Sequence, residues 1–275
     1  MLQFNVDKDL CIKCGECVND CPYMILDMVD EYPVVNPDRA EMCIQCQHCL
    51  AVCKPGALSI FGLNPADSRS LKGNLPDPVK VENLLLGRRS TRRYKQEPVD
   101  SELLDSILET VRMAPTGMNR RTTLLTVVDN LEVMEKVRAS AYAELKAAVD
   151  ADQLPPEMEL FKGISDAYET KGIDVLFRGA PHFLVTSAPT ENRSGTVDGI
   201  IAMTYFEMLA NSHGIGTVWD GLAKWSMTMV APKTIELLGI PADHEVSYMM
   251  AFGKPAVKYH RTVQRPGGGV NKVTS

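Results

Sequence analysis

Cysteine is the residue type in this chain whose number and spacing point to chemistry. There are eight cysteines, all between Cys11 and Cys53, and none after that. Cys11, Cys14, Cys17 and Cys21 are spaced C-x2-C-x2-C-x3-C and followed by Pro22, and Cys43, Cys46, Cys49 and Cys53 repeat the spacing. Thiolates spaced this way are iron–sulfur ligands. Three of a run wrap one 4Fe-4S cubane, and the fourth crosses to a second one. On that pattern Cys11, Cys14, Cys17 and Cys53 hold one cluster, while Cys43, Cys46, Cys49 and Cys21 hold the other. Two readings compete. A zinc-binding regulatory protein is one, although zinc favours separated C-x2-C pairs. A disulfide scaffold is the other, and it needs an oxidising compartment. The first residues lack a basic stretch leading into an apolar one, so a cytoplasmic location is expected. His48, inside the second run, reads as a surface residue between ligands.

The cysteine segment is an internal repeat, and Gly15 supplies backbone freedom in its first loop. Residues 1–60 contain nine acids and four bases, a charge of −5 out of the chain's −6. An acidic face of this kind suits brief docking of a basic redox partner, and equally a merely solvated surface. The segment resembles the bacterial two-cluster ferredoxins over roughly residues 3–62. One departure is Lys54-Pro55 after Cys53, where that family has proline directly.

The expected division is a cluster domain at 1–62, a linker at 63–77 rich in Pro, Gly, Asn and Ser, and a second domain at 78–275. Asp77-Pro78 reads as an N-cap with proline at the first helical position. Helices are expected over 79–87, 101–113, 131–149, 197–212 and 233–238. Strands are expected over 122–128, 182–187, 217–219 and 245–252. Residues 150–175 read as a helical excursion, either a lid or an ordinary surface helical pair. The helix from Val197 is apolar nearly all round, so it needs cover on every side, from the core or a second subunit. With no apolar run of about 18 residues, no membrane span is expected. The net charge of −6 argues against nucleic-acid binding by bulk electrostatics.

The second domain has no G-x-G-x-x-G after a strand, no phosphate-loop lysine motif and no H-E-x-x-H. What it offers is Arg88-Arg89-Ser90-Thr91-Arg92-Arg93, a set of guanidinium forks able to bind phosphate. It also has Ala114-Pro115-Thr116-Gly117-Met118-Asn119, His213-Gly214-Ile215-Gly216-Thr217 and Gly253-Lys254-Pro255. Taken singly, these read as a basic helix end, a turn and a glycine helix stop. Asn192-Arg193-Ser194 fits a glycosylation pattern that a cytoplasmic protein would not use.

In this order the motifs resemble the nitroreductase family of FMN-dependent oxidoreductases, over about residues 78–265. With the cysteine module in front, the chain resembles the ferredoxin-fused nitroreductases. The resemblance implies an α+β fold with a central, mostly antiparallel sheet flanked by helices. It also implies an intertwined homodimer with two FMN sites at the subunit interface. Arg88, Arg89 and Ser90 would meet the FMN phosphate, and Arg92 the pyrimidine edge. Pro115, Thr116 and Asn119 would line the flavin from the partner subunit. Asp220 and Gly221 would set a backbone N–H by flavin N5, and Lys258 and Arg261 would close over the phosphate. Many relatives carry glutamine where this chain has Arg121. No side chain is assigned a catalytic role, because the flavin carries the chemistry.

The expected function is an enzyme passing electrons from two 4Fe-4S clusters to FMN and on to a small conjugated acceptor such as a nitroaromatic. The acidic cluster module suggests a ferredoxin-like donor, or direct reduction, over NAD(P)H. The alternative is an electron-transfer flavo-iron–sulfur protein serving a protein partner.

Overall fold

The structure is a computed structural model that describes residues 2–274. The chain separates into two compact units, residues 1–76 with 118–120, and residues 77–117 with 121–275.

The first unit contains β1 (Asn5–Val6), α1 (Glu16–Asn19), β2 (Leu26–Val29), β3 (Tyr32–Val35), α2 (His48–Ala51) and β4 (Leu58–Ser59). Strands β1 and β4 pair antiparallel and close the unit. Strands β2 and β3 form a hairpin whose turn residues, Asp30 and Glu31, both have positive φ (48° and 67°). That geometry matches the right-handed twist of the strands. The repeat seen in the cysteine spacing is also a repeat of backbone shape. Lys13 and Gln45 are left-handed at φ 59° and 55°, and Gly15 and Gln47 at 73° and 60°. Each of the last two is the N-cap of a one-turn helix, α1 or α2. Wrapping the loop imposes this conformation, so the second repeat adopts it even with glutamine in the glycine position. Ile25, Leu26, Leu50, Leu58 and Ile60 form the small core behind the cysteines.

The second unit contains α3 (Pro78–Gly87), α4 (Ser101–Val111), β5 (Leu124–Val128), α5 (Leu131–Asp150), α6 (Leu160–Lys171), β6 (His182–Pro189), α7 (Gly195–Ser212), β7 (Gly216–Trp219), α8 (Gly221–Met229), α9 (Pro232–Leu237) and β8 (His244–Gly253). The four strands form an antiparallel sheet in the order β5-β6-β8-β7. Its two central strands are covered on both faces, which explains why they read as continuous apolar runs. Phe183 and Val185 of β6, with Met249 and Ala251 of β8, face a core shared with α5, α6 and α8. The alternate residues Leu184, Met250 and Phe252 face α4 and α7. Period-two alternation divides the strand side chains between two cores, and each large one buried contributes about 1.5–3 kcal/mol. The fold is therefore α+β.

Caps set the helix starts. Asp77 accepts from Val79 N and Lys80 N, and Asp100 from Leu103 N. The 150–175 excursion is a packed helical pair. Met158 and Phe161 are fully buried, Phe161 meets Trp225 edge-on at 5.6 Å, and Tyr168 stacks on Tyr142 at 3.6 Å. Helix α7 buries one face, through Ala202, Met203, Phe206 and Ala210, while Val197, Ile200 and Tyr205 are exposed. No helix among the described residues is long and apolar enough to cross a membrane.

Candidate functional site

In the first unit the eight cysteines frame two hollows. Cys11, Cys14, Cys17 and Cys53 line one, together with Pro33, Pro55 and Leu58. Cys21, Cys43, Cys46 and Cys49 line the other, together with Ile25, Leu26 and Ile60. Each hollow thus takes three cysteines from one run and the fourth from the other, the sets named by the crossed pattern. All eight thiols are free, so no disulfide joins them. Among the described residues, no three of His, Cys, Asp and Glu converge as around a single ion. A zinc ion, with bonds of about 2.3 Å to sulfur, needs such convergence. Thiols spread around an apolar hollow suit a larger body such as a cubane. Burial pushes the Cys17 and Cys49 thiols up to about 11. A bare thiolate is disfavoured there, and iron supplies the missing positive charge. Cys14 is the exposed cysteine of the first set. His48 is exposed, with its ring 3.4 Å from Asp20.

In the second unit, residues 90–95 run between β7 and the segment after β8. Thr91 N donates to Thr217 O at 2.8 Å, and Ser90 bridges Thr217 in parallel. On the other side, Lys95 N donates to Lys254 O and Ala256 N to Arg93 O, each at 2.9 Å. The Tyr259 hydroxyl donates to Ser90 O at 3.3 Å. Two basic segments far apart in sequence therefore become neighbours. Arg92, Lys258 and Arg261 are exposed, and among the described residues none has an ion-pair partner. This is the donor chemistry a phosphate needs.

Arg88 and Arg89 are committed differently. Arg89 folds back on the Arg88 and Leu86 carbonyls at the end of α3. Arg88 Nη1 donates to Glu207 Oε1 at 3.1 Å. Glu207, on α7 and buried, also accepts from Thr217 Oγ1 at 3.2 Å and from Trp219 Nε1 at 2.9 Å. This hub had no signal in the sequence beyond an acid within an apolar helix.

The loop after α4 is elsewhere. Pro115 is exposed and Thr116 half-buried, and Thr116 Oγ1 accepts from Arg121 N at 3.0 Å. Gly117 N donates to Asp198 Oδ1 at the start of α7. Asn119 is grouped with the first unit, where its amide donates to Ile44 O at 2.8 Å. The Gly117–Asp198 and Arg88–Glu207 contacts are thus about 13 Å apart along α7, at 1.5 Å per residue. Gly117, next to Thr116, and Arg88 are therefore anchored on different turns of α7.

Asp220 is the N-cap of α8, a helix that sequence reasoning missed. Its Oδ1 accepts from Ala223 N at 3.0 Å, while Oδ2 is buried without a partner. Gly221 follows, and a side chain there would meet the Tyr248 hydroxyl at 3.1 Å. Burial pushes the Asp220 carboxyl up from 3.8 to about 7, against the lowering effect of the Ala223 N–H. A carboxyl raised on folding stabilises the fold fully below its unfolded value, and that stability is lost as pH rises through the folded value. Asp220→Asn keeps the cap and removes the titration. Relative to the parent, it should gain stability between about pH 4 and pH 7, by at most about 4 kcal/mol. Thermal unfolding of both proteins across that range checks this, and a pH-independent difference would contradict it.

The four-cysteine hollows of one unit suit iron–sulfur clusters, and the basic rim on the α+β domain of the other suits a phosphate-bearing ligand. Residues 85–254 match the nitroreductase family, and residues 10–58 a 4Fe-4S dicluster domain. The NADH dehydrogenase of Thermus thermophilus is 26% identical over 191 residues, 65% of this chain and 88% of that protein. Nitroreductase NfnB of Mycolicibacterium smegmatis is 30% identical over 165 residues, 50% of this chain and 68% of that one. A solved nitroreductase with bound FMN from Bacteroides fragilis has a TM-score of 0.57 at 21% identity, covering 70% of this chain and 99% of that one. The chain belongs to the nitroreductase family and carries a 4Fe-4S dicluster domain ahead of the family's own. It is an oxidoreductase of that family; its dicluster domain implies two 4Fe-4S clusters, and the solved Bacteroides fragilis neighbour holds FMN.

Proposed function

We propose that this enzyme takes single electrons into its cluster domain (residues 1–62), joined by a linker (63–77) to the FMN domain (78–275), and delivers them to a small conjugated acceptor such as a nitroaromatic. The observation carrying this reading is the crossed framing of two hollows by eight cysteines in a chain of the nitroreductase family. When bound, the clusters supply one-electron transfer, and FMN supplies both one- and two-electron chemistry.

The chain's own residues bind and orient. Cys11, Cys14, Cys17 and Cys53 would hold one cluster, and Cys21, Cys43, Cys46 and Cys49 the other. Lys258 and Arg261 would neutralise the FMN phosphate, Ser90 would hydrogen-bond it and Arg92 would meet the pyrimidine edge; Arg88 and Arg89 would have to turn from Glu207 and from the Arg88 and Leu86 carbonyls to reach the phosphate. Asp220 and Gly221 open α8, whose first N–H groups form a positive helix end suited to electron-rich flavin. Pro115, Thr116 and Asn119 would line the flavin from a partner subunit. A second copy is also what the apolar groove of Leu84, Val111, Tyr205, Met208 and Leu209 suits, with Leu85, Leu86 and Ile200 exposed beside it. Oxygen-sensitive thiolate clusters fit the reducing cytoplasm.

The test is anaerobic purification with iron, sulfide and flavin analysis, then turnover of a nitroaromatic with a reduced one-electron carrier protein or with NADPH. Removing residues 1–70 should cut carrier-driven turnover at least about tenfold, equivalent to 1.4 kcal/mol of barrier. High NADPH-driven turnover that survives the truncation unchanged would count against the clusters as the route. The acidic first unit also favours a second reading, in which the electrons go to a protein partner. Tight complex formation with negligible small-acceptor turnover would select it.

A further inference from the structure

The turn leading into α7 contains a buried polar cluster to which the flavin reading assigns no role. Asp198, in the first turn of α7, is 3% exposed. Its Oδ1 accepts the Gly117 backbone N–H at 2.9 Å. Its Oδ2 accepts the Ser194 hydroxyl at 2.8 Å, and Asn192 Nδ2 donates to it at 3.4 Å. Asn192 is also buried. Its amide donates to Thr122 Oγ1 at 2.9 Å, and its Oδ1 accepts from Ser194 N at 3.1 Å. The Asn-Arg-Ser triplet that fits a glycosylation pattern is thus part of an internal clamp. The carboxylate has neutral donors around it and the positive end of α7 beneath it.

The two clamped positions, Gly117 and Thr122, are the ends of one short loop. Between them Met118, Asn119 and Arg121 are left-handed, with φ of 52°, 53° and 51°. Side chains bearing a Cβ rarely adopt that conformation. It persists where the surroundings over-determine it, and such residues cluster at functional sites. Gly117 itself has no room for a side chain, since a Cβ there would stand 2.4 Å from Ser194 Oγ. Thr116 is drawn into the same closure by accepting the Arg121 N–H.

We infer that Asp198, together with Asn192, is a positioning residue of the flavin site, clamping the 117–122 loop so that Pro115 and Thr116 are presented in one fixed geometry. The inference rests on the reading that this loop lines FMN. An acceptor is needed at Asp198 because two of the groups facing it, the Gly117 N–H and Asn192 Nδ2, can only donate. Asparagine retains one acceptor oxygen, and its amide can turn to the Ser194 hydroxyl. It should therefore restore most of what alanine loses.

The test uses the full-length holoprotein, stripped of flavin and titrated anaerobically with FMN, following flavin fluorescence and the visible circular dichroism of the bound flavin. Asp198→Ala should weaken FMN binding about tenfold or more and change the dichroism, whereas Asp198→Asn should come within a few-fold of the parent. Parental affinity and dichroism in Asp198→Ala would overturn the inference, as would an Asp198→Asn no better than alanine. Should Asp198→Ala fail to fold, the double variant Ser194→Ala with Thr122→Val decides. It loosens the clamp but leaves the carboxylate, so weakened binding supports the inference and unchanged binding overturns it. Arg92→Ala and Lys258→Ala are measured in parallel. If they weaken FMN binding and Asp198→Ala does not, this inference fails and the flavin reading stands. If none of the variants affects FMN, the flavin reading falls and the inference with it.

Discussion

Cys17→Ala should cost the protein half of its iron and sulfide, and at least about 100-fold of its carrier-driven turnover, while the flavin content stays at the parental level. Such a loss corresponds to about 2.7 kcal/mol of barrier. Cys17 is buried, in contact with the small core of the first unit. At an exposed position such as Cys14 solvent oxygen can substitute in part, whereas Cys17 is buried and far less open to solvent. Its hollow takes Cys53 from the other run, so loss of this cluster also removes a cross-link between the repeats. Iron, sulfide and flavin analysis of the anaerobically purified variant gives the stoichiometry, and turnover with the carrier protein gives the rate. Full iron content in Cys17→Ala would contradict the assigned ligand sets.

The second large effect is expected at Glu207. Its carboxylate is the common acceptor for Arg88, Thr217 and Trp219. Glu207→Ala leaves a guanidinium and two further donors without their acceptor. Breaking a buried ion pair from one side costs about 3–5 kcal/mol. Glu207→Gln retains the volume and one acceptor oxygen and should lose less, about 1.5–3 kcal/mol, in line with hydrogen bonds to a charged group. Because Arg88 lies directly before Arg89 and Ser90, FMN affinity should fall in both variants. Denaturant unfolding of the flavin-free proteins, followed by FMN titration, separates the two effects. A stability loss below about 1 kcal/mol in Glu207→Ala would mean that the ion pair is hydrated in solution.

The features readable from the sequence were those carried by neighbours along the chain. Cysteine spacing names the four residues lining each hollow, because a loop with three thiols one turn apart can close on only one body. Asp77-Pro78 and Asp100 mark two helix starts, since a capping carboxylate reaches N–H groups only two or three residues ahead. The runs at β6 and β8 were recognisable as strands from their apolar continuity. Helix α8 was missed because Gly-Leu-Ala-Lys-Trp-Ser-Met-Thr-Met has no clear apolar period and begins with glycine. The usable signal is Asp220 as an N-cap. Helix α7 reads as apolar nearly all round from sequence, although Asp198 and Glu207 lie within it.

From its sequence alone, this protein is determined to be a doubled cysteine-run module followed by an α+β domain with basic, turn and glycine motifs in a fixed order. These are properties of residue type and short spacing, which the local backbone obeys wherever the chain goes. Folding in three dimensions decided which residues far apart along the chain would meet. Arg88 reaches Glu207 across 119 residues, and Gly117 reaches Asp198 across 81. The segment at 90–95 lies beside 254–256. A buried carboxylate is tolerated only where donors converge on it. The donors to Glu207, and the Gly117 N–H at Asp198, come from other elements, so packing and not local pattern alone decided where these two carboxylates are held.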